Sequence, residues 1–148
     1  MQERGRVYAS SVDFDPVRDY PLGTKRPDLV RTPSGRPLAE LTVDALRDGS
    51  ITAGDMRATP ETIRCQAAVA RAAGRVPLAE NLERAAELSL IDAPTILDAY
   101  TALRPHRSTA AELEAWAVRL EGELAAPLTA AFVREAAAAY ARRGLLRR

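Results

Sequence analysis

The stretch DAYTALRPHRSTAAEL, Asp98 to Leu113, holds the end of one helix and the start of the next, and the reading of the chain turns on it. Ile96, Tyr100 and Leu103 share one face at helical spacing, with Leu97 beside them. Pro105 is expected to end that helix near Arg104, because a residue before proline is pushed out of the α region. Thr109, followed three residues later by Glu112, makes a capping box that opens the next helix. Arg104 and Arg107 then sit at a stiff corner between two helices. Three roles are open to them: solvated surface groups, an anchor for a partner through charge-assisted hydrogen bonds, or a cap for the last carbonyls of the preceding helix.

Outward from the corner the chain reads as helix after helix. Thr59-Pro60-Glu61 has threonine at the N-cap and proline at the first helical position, so a helix should run to about Ala73 and stop at Gly74. Pro77 opens another, to about Leu90, and Asp92-Ala93-Pro94 opens the one that ends at the corner. The helix capped by Thr109 carries Leu113, Trp116, Leu120 and Leu124 on one stripe. Pro127 should kink or split it, leaving a last helix from about Leu128 to Arg143 before Gly144. Short turns are expected at Thr42–Arg47 and Thr52–Met56. No segment alternates at a two-residue period as a strand would. The expected fold class is all-α: a compact helical domain of about four to five main helices over residues 42–148.

Residues 1–41 differ. Five of the ten prolines fall between Pro16 and Pro37, too dense for a long helix or a central strand. Thr32-Pro33-Ser34-Gly35 has the chemistry of a β-turn. Tyr20, Leu22, Leu29, Val30 and Leu38 make the segment too apolar for a solvated linker, so an irregular arm lying along its own domain or a partner is expected.

Hydrophobic content of 47% with 28% charged residues describes a globular chain, and no apolar run is long enough to cross a bilayer. The single cysteine, Cys65, excludes an internal disulfide and suits a reducing compartment. It sits among Ile63, Ala67 and Ala68, the setting of a small core hydrophobe. The net charge of +1 is uneven, with five basic and one acidic residue in the last fifteen. That tail is the only support for nucleic-acid binding, and Arg142, Arg143, Arg147 and Arg148 also lie where a helix C-terminus favours cations.

Independent chemistry finds little footing. His106 is the only histidine, so neither a histidine pair nor a Cys–His cluster of zinc-site type can form. There is no glycine-rich phosphate loop. Glu80, Glu83 and Glu87 are expected on one solvated helix face. Asn81 projects into the apolar arc of Leu78, Leu82, Ala85 and Leu88, where a buried amide would need partners. Arg64, Arg71 and Arg75 form a stripe expected to be solvated.

Four blocks carry a family resemblance: DYPLGTKRPDLVRTPSGRPLAELT (Asp19–Thr42), NLERAAEL (Asn81–Leu88), ALRPHRST (Ala102–Thr109) and AAFVREAA (Ala130–Ala137). In this order they resemble the small subunit of adenosylcobalamin-dependent diol/glycerol dehydratases. The resemblance implies a heterohexamer, a dimer of heterotrimers, in which a TIM-barrel large subunit holds the substrate. Adenosylcobalamin would lie between the large and medium subunits. An adenosyl radical would abstract hydrogen from a vicinal diol such as propanediol, and water loss would give an aldehyde. This chain would be a non-catalytic component of that hydro-lyase, inactive alone and packed mainly on the large subunit. No catalytic, cofactor-binding or metal residue is assigned to it; the candidate partner-binding residues are Tyr20, Pro21, Leu22, Arg104 and Arg107. The chain departs from the family pattern at Ile91-Asp92-Ala93-Pro94, at Thr101 and at Pro127. Residues 1–18 are polar and interrupted by Pro16, which argues against the microcompartment-targeting extension that some members carry. The expected location is the cytoplasm, with a bacterial microcompartment as the alternative. The competing reading is a stand-alone helical protein-interaction module.

Overall fold

Local capping chemistry sets several helix boundaries in the computed structural model, which describes residues 13–147. The first part of the segment weighed for targeting, residues 1–12, and Arg148 lie outside the described residues. Five long helices follow one another: α3 (Pro60–Ala72), α4 (Val76–Leu88), α5 (Ala93–Ala102), α6 (Ala110–Gly122) and α7 (Pro127–Arg143). Before them lie two short ones, α1 (Leu22–Lys25) and α2 (Val43–Arg47), and two 3₁₀ turns at Pro27–Leu29 and Leu38–Glu40. Among the described residues there is no strand, only a single bridge between Arg31 and Pro37. The all-α expectation holds.

Three of the long helices start on a side chain that their own sequence supplies. The Thr59, Asp92 and Thr109 side chains accept from the amides of Thr62, Thr95 and Glu112, each at the third helical position, where backbone donors lack helical partners. The capping box of Thr109 and Glu112 is complete in both directions. Gly74 and Gly144 end α3 and α7 at φ +75° and +67°, the left-handed region glycine enters without a Cβ penalty. Pro127 splits the last stretch instead of kinking it. It takes the first position of α7, and Ala125 before it turns the chain at φ 49°.

Two helical hairpins form the body, α3 with α4 and α6 with α7, and α4 also packs on α7. Across the second hairpin, Arg134 Nε lies 3.1 Å from Glu114 and its Nη2 2.8 Å from Glu121. The core gathers Leu113, Ala117 and Leu120 of α6 with Ala126, Ala130 and Val133, and Trp116 and Leu124 pack at its margin. The predicted stripe of α6 is therefore its buried face. Between α3 and α4 the fully buried apolar residues are alanines, Ala67, Ala70, Ala79 and Ala86. Such small side chains let backbones approach closely. No described helix is long and apolar enough to cross a membrane.

The arm is not featureless. Leu22 and Ile51 are buried. The Asp19 carboxylate receives Arg18 Nε at 2.7 Å and Arg26 Nη1 at 3.1 Å, and binds the Asp15 amide at 3.0 Å. A second knot joins Thr32, Ser34 and Asp55: the Ser34 hydroxyl donates to one Asp55 oxygen, and the Thr52 amide and hydroxyl bind the other at 2.8 and 2.9 Å. Arg26 reaches the neighbourhood of α3, where its charge acts on Cys65.

Candidate functional site

The corner between α5 and α6 is held by the far end of the chain. Pro105 removes a helical donor, and His106 takes φ 61°, turning the backbone sharply. The His106 amide donates to the Leu145 carbonyl at 2.7 Å, and the Arg147 amide to the Ser108 carbonyl at 2.9 Å. Two carbonyls at the end of α5 are bound by side chains from outside the helix. The Ser108 hydroxyl donates to Ala102 O at 2.8 Å, and the Tyr140 hydroxyl to Leu103 O at 2.6 Å. The Arg147 guanidinium binds Glu112, the same carboxylate that closes the capping box.

Arg104 and Arg107 are both exposed. Among the described residues neither guanidinium meets a carboxylate or carbonyl, whereas Arg18, Arg26, Arg71, Arg134 and Arg147 each hold an ion pair. Ser108 and Tyr140, not an arginine, bind Ala102 O and Leu103 O, so neither guanidinium acts as the cap of α5 in this structure. The corner therefore presents two cations to its surroundings on a backbone fastened at both sides.

Beside the corner, α4, α5 and α7 enclose an open groove of about 350 Å³. Leu120 and Val133 form its floor; Leu88, Ile96 and Leu103 line the walls; Tyr100 and Phe132 stand at the rim, 55% and 42% exposed. The predicted face of Ile96, Tyr100 and Leu103 thus opens onto this groove, and α5 buries no residue fully. Arg84 is the only charged residue among those that line it, with its guanidinium carbon 4.9 Å from the centroid of the Phe132 ring. One Arg84 nitrogen donates to the Asn81 amide oxygen.

Several expectations for α4 are corrected here. Asn81 is exposed, not buried, because it lines the groove with Arg84, Ala85 and Leu88 while Ala79 and Ala86 face the interior. The glutamates do not share a solvated face. Glu87 is buried, and its carboxylate accepts from the amides of Leu128 and Thr129 at 2.9 and 2.8 Å and from the Thr129 hydroxyl at 2.7 Å. It is the N-terminal cap of α7, supplied from a different helix. Glu83 pairs with Arg71 at 2.8 Å, which takes Arg71 out of the free basic stripe. Only the run Leu128-Thr129 after a proline hinted at a helix start in need of an acceptor, and nothing local pointed to Glu87.

The other candidates divide. Tyr20 and Pro21 are exposed, while Leu22 is buried at 2% exposure within the chain's own arm. Cys65 is half-buried, and burial pushes its thiol up from the ordinary range, leaving it less nucleophilic. No group of three or more metal-ligating side chains gathers among the described residues.

Comparison with known proteins agrees with the four sequence blocks. The family model described as dehydratase small subunit matches residues 16–147. The propanediol dehydratase small subunit of Citrobacter freundii is 48% identical over 139 residues, covering 94% of this chain and 81% of that one. The protein of the same name from Salmonella typhimurium is 49% identical over 131 residues, covering 88% of this chain and 76% of its own length. A match over nearly the whole described chain, including the arm, the corner and α7, places this protein in the dehydratase small subunit family.

Proposed function

We propose that this chain is the small, non-catalytic subunit of a propanediol dehydratase, a hydro-lyase converting vicinal diols to aldehydes. Its task is to pack on partner subunits that hold substrate and adenosylcobalamin. The observation that carries the reading is the 48% identity to a propanediol dehydratase small subunit over 94% of this chain. The geometry is consistent with a subunit that docks: two arginines without a partner among the described residues, on a fastened corner beside an apolar groove.

The residues present do not fit a cobalamin. The groove lies at the small end of the range for drug-sized ligands, and a corrin with its amide arms is several times larger. Of the polar groups that line it, Thr129 donates to Glu87 and the Asn81 oxygen accepts from Arg84. In this reading the cofactor belongs to the partner subunits, as does the choice between propane-1,2-diol and glycerol. The assembly is a dimer of heterotrimers with the large and medium subunits.

Co-expression with the large and medium subunits of a propanediol dehydratase tests the proposal. A complex that turns over propane-1,2-diol with adenosylcobalamin, together with an inactive isolated chain, is the expected result. Micromolar cobalamin binding by the isolated chain, or failure to co-purify, would overturn it.

A further inference from the structure

We propose that the groove between α4, α5 and α7 is a docking site for an amphipathic helix of a partner dehydratase subunit, one whose apolar stripe is flanked by carboxylates. This rests on reading the chain as a subunit and goes further by naming the surface and the chemistry of what covers it.

The apolar part is concentrated. Tyr100 and Phe132 stand at the rim, and Leu97 and Leu128, their neighbours on α5 and α7, are 64% and 39% exposed. Isolated apolar residues are ordinary on a surface, but large ones clustered around a concavity mark an interaction site. The floor of Leu120 and Val133 is part of the core, so the groove is pre-formed. A row of side chains projecting at helical spacing suits such a trough.

The polar part selects the occupant. Arg84 is the only charge among the lining residues, and Arg104 follows directly on Leu103, which lines the wall. Arg107 lies three residues on. Among the described residues none of these three guanidiniums has a carboxylate partner, while nine other arginines do: Arg18, Arg26, Arg36, Arg47, Arg64, Arg71, Arg119, Arg134 and Arg147. Planar forks without a carboxylate partner beside an apolar trough call for carboxylates on the incoming surface. A small apolar ligand would leave these guanidiniums without an anionic partner. A second copy presenting this same groove would bring arginine but no carboxylate from its lining residues.

Two variants and a cross-link test this on the full chain with its partner subunits. Ala99→Trp fills the groove, and Arg104→Glu reverses the charge beside it; thermal melts confirm that each folds. Each should weaken association with the purified large–medium subcomplex by tenfold or more. With p-benzoylphenylalanine in place of Tyr100, irradiation of the assembled complex should yield a cross-link to a carboxylate-bearing helix of a partner subunit. Absence of wild-type association would overturn the subunit reading and the docking site with it. Wild-type association that both folded variants retain in full would overturn the docking site alone. So would a cross-link only to a second copy of this chain or to a non-helical segment.

Discussion

The Glu87 carboxylate, on α4, closes the N-terminus of α7 by accepting hydrogen bonds from the backbone amide and hydroxyl of Thr129, at 2.8 and 2.7 Å. The partners are 42 residues apart, so a helix end that no local side chain caps is satisfied by tertiary contact. An anion at a helix N-terminus also complements the helix dipole, and its burial beside Thr129 gives the contact weight.

Removal of this cap should be the most damaging polar substitution in the bundle. Glu87→Ala strands two amides and a hydroxyl, at a cost of about 2–3 kcal/mol. Glu87→Gln keeps one acceptor oxygen and should cost about 1 kcal/mol. Urea unfolding of the two variants checks the order; equal losses would show that the carboxylate contributes only as a space-filling group.

At the corner, stability and assembly should separate. Tyr140→Phe removes the donor to Leu103 O and should lower stability by about 1 kcal/mol. Arg104→Ala and Arg107→Ala touch exposed side chains and should change it by less than about 0.5 kcal/mol. Their effect should appear in binding to the partner subunits, where loss of an interface anchor weakens association by about 2 kcal/mol. Thermal melts beside co-purification distinguish the two roles.

Acid should loosen the arm. The Ser34 hydroxyl, with the Thr52 amide and hydroxyl, pulls the Asp55 carboxyl from 3.8 down to about 2. Because the unfolded chain holds its proton to higher pH, this contribution is fully present above about pH 4 and fades as pH falls through 2. Asp19 is held low in the same sense by Arg18, the Asp15 amide and Arg26. Asp55→Asn should therefore flatten part of the decline in urea midpoint between about pH 5 and pH 2. A wild-type slope in the variant would show that Asp55 takes no part.

Ala125 turns the chain at φ 49° with its side chain exposed. Ala125→Gly relieves a left-handed alanine and should raise stability by about 0.5–1 kcal/mol. A lowered denaturation midpoint would mean that the methyl contributes packing worth more than the strain.

The arm makes its own hydrogen bonds, so the amides of Thr32 and Thr52, bound to Arg36 O and Asp55, should exchange slowly in the isolated chain. An arm ordered only by a partner subunit would exchange them fast, and hydrogen exchange on the free and assembled chain decides between the two.

Helix ends were legible in the sequence because they are local. Thr59, Asp92, Thr109 and Gly144 act on backbone groups within a few residues, and no distant neighbour can change that chemistry. The stripe Leu113–Leu120 was legible for the same reason, one dense apolar face with one place to go. The orientation of α4 was not. Its leucines suggested the buried side, but the interior accepted Ala79 and Ala86, because the alanine-lined face of α3 permits a closer approach. That choice exposed Asn81, turned Leu88 toward the groove and carried Glu87 inward to the end of α7. The sequence by itself determined the helix ends that carry their own caps; only the tertiary structure decided which face of α4 is inside and what closes the start of α7, since burial depends on the shape of the helix opposite and not on hydrophobicity alone.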